Sequence, residues 1–214
     1  MNAKLITTAL AVLGGTVAVS ALEVIDFTDA AWALPNNTTV SKTVAGTTAT
    51  ATSVGGSLPV YLSQSAANGL GINTTTIDIE DEIQTITVFG SSYVEILTVD
   101  LAPGKYATGA SIKNLFRNAN ETGFADEKGV VELWNNGFLQ ITLPFQADAT
   151  SSSGNLFVSF GGGYDALKFY AQETALFTIS DFSVASLNVP DGGSSLVLLG
   201  LGLVGVGALR RRLA

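Results

Sequence analysis

The chain has 214 residues, a formal net charge of −8, and neither cysteine nor histidine. Without thiolate or imidazole there is no cysteine or serine–histidine nucleophile chemistry, no thiolate-ligated metal and no disulfide. The acidity also opposes a nucleic-acid partner, which requires the opposite sign.

At the N-terminus a single cation, Lys4, precedes an apolar run, and small residues lead to Ala21 before the first acid, Glu23. A charged start, an apolar centre and a small-residue exit define a secretory signal peptide, here residues 1–21 with cleavage after Ala21. The run is short against the roughly 20 residues of a membrane span, so export by the Sec machinery and removal are expected rather than anchoring.

Residues 22–188 then form the exported domain, long enough for one core. They carry six Lys/Arg against seventeen Asp/Glu, a net charge of −11. The low-complexity segment 36–57 is almost all Thr, Ala, Val, Ser and Gly. It reads either as a mobile stalk or as thin edge strands. β-propensity favours strands, and the lack of large apolar residues implies poor packing.

Farther along, Ile77, Ile79 and Ile83 alternate with Asp78, Glu80 and Glu82, the pattern of a half-buried strand broken by Asp81. Leu97, Val99 and Leu101 alternate in the next run, which Pro103-Gly104 ends with a turn. Around residues 111–118, Ser111 can cap a short helix whose apolar face is Ile112, Leu115, Phe116 and Ala119. Residues 130–145 read as a hairpin around Asn136-Gly137. A two-residue turn would pair Glu132 with Ile141. A three-residue loop, Asn135-Asn136-Gly137, pairs Leu133 with Leu139 and Val131 with Ile141, and this register is preferred because it gathers the apolar residues on one face. It sets Trp134 opposite Phe138 on the outward face.

Strands over 156–160 and 166–170 flank a glycine-rich turn at 161–165, and a last strand covers 175–184. Short alternating strands with glycine-rich turns predict a mainly β domain, an antiparallel β-sandwich. The closing run 178–184 looks like the final strand of jelly-roll glycan-binding modules, a likeness of fold that transfers no site.

The C-terminus carries the most specific signal. Val189-Pro190-Asp191-Gly192-Gly193 precedes residues 196–209, which hold no polar side chain, and Arg210, Arg211 and Arg212 follow. As a helix those fourteen residues span roughly 21 Å, short of a hydrocarbon core of roughly 30 Å. The arginines form a cytoplasmic stop, leaving everything before the apolar stretch outside.

A short motif, a marginal transmembrane helix and a basic stop together resemble the PEP-CTERM sorting signals, and more narrowly their VPDSG-CTERM variant, over residues 189–214. Gly192 stands where the variant has serine. The resemblance implies an exosortase, a membrane cysteine enzyme, as the partner that reads and cuts the tail. It also implies an inner-membrane-anchored precursor that becomes a cell-surface or extracellular protein.

Several readings of the domain stay open. The first is a non-enzymatic surface or extracellular-matrix component, with an exopolysaccharide as its partner. The second is a carbohydrate-binding module that stacks sugars on Trp134 and Phe138 beside Asn135 and Asn136. A third is a calcium site at Asp78, Glu80, Asp81 and Glu82; acids alternating along one strand fit a solvated face better. A plain tail-anchored envelope protein is the alternative reading of the tail. Paired carboxylates are the catalytic option left, and seventeen acids supply such pairs by chance, so neither enzymatic activity nor a cofactor is expected.

Overall fold

A computed structural model describes residues 23–34, 39–55, 58–74, 82–88, 90–115, 127–147, 154–172 and 175–186. The signal peptide with Ala21, the sorting motif, residues 196–209 and the three arginines lie outside this set, as do Asp78, Glu80 and Asp81. Among the described residues no helix is long and apolar enough to cross a membrane.

The described chain consists of strands and one 3-10 turn. In order they are β1 (Glu23–Asp26), the 3-10 turn Ala30–Trp32, β2 (Ser41–Val44), β3 (Thr47–Val54), β4 (Tyr61–Ser65), β5 (Gly69–Asn73) and β6 (Ile83–Val88). There follow β7 (Ser91–Asp100), β8 (Lys105–Lys113), β9 (Lys128–Asn135), β10 (Phe138–Gln146), β11 (Leu156–Tyr164), β12 (Ala166–Gln172) and β13 (Leu176–Ser186). All pairings are antiparallel and join the strands into one thirteen-stranded sheet.

The sheet has two halves. In one, β13 pairs with β8 along most of its length, β11 lies beyond β8, and β1, β5 and β6 share the other side of β13. In the other, the order is β10, β9, β12, β7, β3, β2. Strand β6 pairs with both β13 and β7 and so links the halves. Side chains alternate along each strand, so one face of each half supplies the core. Phe169 of β12 stacks on Phe182 of β13 with ring centroids 5.7 Å apart, and Phe145 of β10 meets Phe177 of β13 edge-on at 5.2 Å. These aromatic contacts join the two halves across the core, each buried ring contributing roughly 1.5–3 kcal/mol. The Phe145–Phe177 pair depends on Gly129, where an added Cβ would lie 2.3 Å from the Phe145 ring.

Three expectations need correction. Segment 36–57 does contain strands, and β2 is the thin edge strand expected, with no residue buried; β3 is not poorly packed, since Ala49 and Ala51 are fully buried against β7. Small side chains serve there because the neighbouring core residues, Leu97 and Val99, are large. The helix at 111–118 is absent where it can be checked. Residues 111–113 end β8, paired on both sides with β13 and β11, and the Ser111 hydroxyl donates to Asp181 at 2.8 Å instead of capping. Asn114 at φ 61° then turns the chain out of the strand; residues 116–118 lie outside the described set.

The hairpin follows neither register. Its tip is a two-residue turn with Asn136 and Gly137 both at positive φ, pairing Asn135 with Phe138 and Trp134 with Leu139. A bulge at Gln140 then shifts the ladder by one, so Leu133 pairs with Ile141 and Val131 with Leu143. The bulge reconciles an Asn-Gly turn with apolar pairing, which no unbroken register achieves.

Candidate functional site

Trp134 and Phe138 are not a pair. Trp134 lies across from Leu139 and Ala166, whereas Phe138 lies across from Asn135, one position on. Successive side chains on a strand point to opposite faces, so the two rings belong to opposite sides of the hairpin. Phe138 is 72% exposed at the tip, and no two-ring platform forms.

The outward face of the β10–β2 half instead gathers Trp134 with residues that sequence reasoning passed over. Glu132 and Trp134 alternate with buried Val131 and Leu133 on β9, and Lys168 and Tyr170 alternate with buried Leu167 and Phe169 on β12. Register sets Lys168 across from Glu132 and Ala166 across from Trp134. The Glu132 carboxylate accepts from the Trp134 indole N–H at 3.1 Å and from the Tyr170 hydroxyl at 3.5 Å. The Lys168 ammonium sits 4.2 Å from the centroid of the Trp134 ring, a cation–π contact. Burial raises the Tyr170 pKa above its ordinary value, and the charge and hydrogen bond of Glu132 add to the effect. The only sequence signal for this cluster was the polar phase of each strand, which marks exposure and not a site.

Beside it runs an open groove of about 580 Å³. Val54, Val94 and Ile96 form its apolar floor, and Thr85, Glu132 and Tyr170 its sides. It lies where β6 and β12 both reach β7: Val94 pairs with Val54 and Thr85, and Ile96 with Thr52 and Tyr170. Such a surface can pack against C–H groups and accept hydrogen bonds. Among the described residues no group of three or more acids could hold a metal. Glu82, the one described residue of the acidic cluster considered for calcium, accepts from Asn114 at 2.6 Å.

No curated protein and no solved structure matches the chain. The β domain therefore stands on its own geometry. The tail does not: residues 188–213 match the family model of the VPDSG-CTERM motif. The match implies an exosortase-type sorting partner and export to the cell envelope or surface. It spans the sorting motif, the apolar stretch and all three arginines, and identifies the C-terminus as a VPDSG-CTERM sorting tail.

Proposed function

We propose that the chain is a non-enzymatic surface or matrix protein, exported by the Sec machinery and held by its tail until an exosortase cuts it. The observation that carries this reading is the VPDSG-CTERM match over residues 188–213. A signal peptide over residues 1–21 delivers the chain, and residues 196–209 retain it as a transmembrane helix. Pro190 restricts Val189 to an extended backbone, and Gly192 and Gly193 leave the site accessible to an enzyme. The displayed part is a β domain whose two-layered closure supports a jelly-roll-like sandwich. That fold by itself implies no ligand.

The test replaces Pro190 and Asp191 with alanine in cells that have an active exosortase. Export and insertion should continue while processing stops, so that full-tail protein accumulates in the membrane. Mass spectrometry of the released wild-type form should show a chain starting near Leu22 and ending before Leu196. A mature wild-type protein that keeps residues 196–214 would make the tail an ordinary anchor, the second reading, and end this one.

A further inference from the structure

The outward face around Glu132 is built like a recognition surface, and its chemistry selects a ligand. An ionised carboxylate only accepts hydrogen bonds and has about four lone-pair positions. Glu132 fills two, with the indole of Trp134 and the phenol of Tyr170. Among the described residues its carboxylate forms no ion pair; Lys168, across from it in register, places its ammonium over Trp134 instead. The remaining acceptor capacity is open to the groove, so a ligand there must bring donors.

Two further observations narrow the choice. The groove floor is aliphatic, with Val54 58% exposed, and needs C–H surface against it. Next to the floor the sheet presents hydroxyls in register: Thr52 beside Ile96, and Ser41, Thr50 and Thr98 in the row that continues to Lys168 and Glu132. Hydroxyl groups on a C–H frame meet all three demands. A polyanion is disfavoured, because residues 22–188 carry −11. A polycation would meet like charge there, because the Lys168 ammonium lies over Trp134 beside Glu132. The groove, of about 580 Å³, is open to solvent and suits a ligand laid along the surface more than one enclosed in a pocket.

We propose that this face binds a neutral polysaccharide, whose sugar C–H faces pack on Val94, Ile96 and Tyr170 while vicinal hydroxyls donate to Glu132. Thr98 and Thr50 extend the contact across the sheet. The site is independent of how the tail is processed, so failure of either idea leaves the other standing.

The test uses the full chain in a sugar-free zwitterionic detergent, titrated calorimetrically with oligosaccharides of cellulose, laminarin and dextran. Alginate and chitosan oligosaccharides serve as the anionic and cationic comparisons. At least one neutral glucan should bind saturably. Glu132→Gln should weaken that binding about tenfold, the value of a charge-assisted hydrogen bond, without changing the melting temperature. Ile96→Asp, which alters only the outward floor, should abolish it, and Phe138→Ser on the opposite side of the hairpin should leave it unchanged. The proposal is overturned by any of three results: no neutral glucan bound, binding insensitive to Glu132→Gln and Ile96→Asp, or preference for chitosan, which would mark a cation site.

Discussion

Phe182 shows how a single side chain holds the two halves together. It is fully buried, stacks on Phe169 of the opposite half and meets Phe27 edge-on at 5.0 Å. Phe182→Ala should therefore cost roughly 3–5 kcal/mol in urea unfolding of a residue 22–188 fragment. Phe138→Ala, at the exposed hairpin tip, should stay within about 0.5 kcal/mol; equal losses would mean the two residues are misplaced. Tyr170 tests the outer face in another way. Its folded pKa is raised, so its contribution to stability is full below the unfolded tyrosine pKa and is lost as pH rises through the folded value. Ultraviolet titration should show a late-ionising tyrosine that disappears in Tyr170→Phe. If the titration curve keeps that component, it belongs to another tyrosine and Tyr170 is not held up by burial on this face.

At the scale of the element, the β9–β10 hairpin separates what periodicity reveals from what it hides. Alternation placed Val131 and Leu133 on one face of β9 and Glu132 on the other, and the structure agrees. It could not show that Gln140 drops out of the ladder, because a bulge costs one residue and leaves the apolar content unchanged. Leu133 is fully buried and Ile141, on the edge strand, is 42% exposed. Leu133→Ala should accordingly cost about 2–5 kcal/mol, and Ile141→Ala well under half as much. Deleting Gln140 should preserve the pairing of Leu133 with Ile141 and the protection of β10 amides against hydrogen exchange. Loss of that protection would show that the bulge is required. The helix expected near 111–118 failed for a related reason: Ile112 and Leu115 fit a helical face, but three residues of overlap cannot distinguish period 3.6 from period 2. The low-complexity strands were legible as strands but not as core, because burial of Ala49 and Ala51 depends on what β7 places beside them.

For the whole molecule, the mainly β, antiparallel class was legible from the alternation of short strands with glycine turns, and the tail from its three-part grammar. The cluster on the outer face was not. Glu132, Trp134, Lys168 and Tyr170 come from strands more than thirty residues apart, and register alone brings them together. The tail also supports a prediction distinct from cutting. If Arg210, Arg211 and Arg212 act as the expected cytoplasmic stop, a chain without them should pass through the membrane and appear outside uncut, with residues 196–209 retained. Fractionation that finds the variant still in the membrane would show that the apolar stretch alone suffices.

The position of β13 has a consequence in time. This last described strand pairs with β1, β5, β6 and β8, including the first described strand and the one that links the halves. On the proposed export route, a chain threaded outward from its N-terminus delivers β1 first and must leave it without its partner until residue 184 has crossed. The seam then closes only as the apolar tail reaches the bilayer. Completion of the fold and arrest in the membrane become nearly the same event, and a chain cut short of β13 reaches the outside with four strands missing a neighbour.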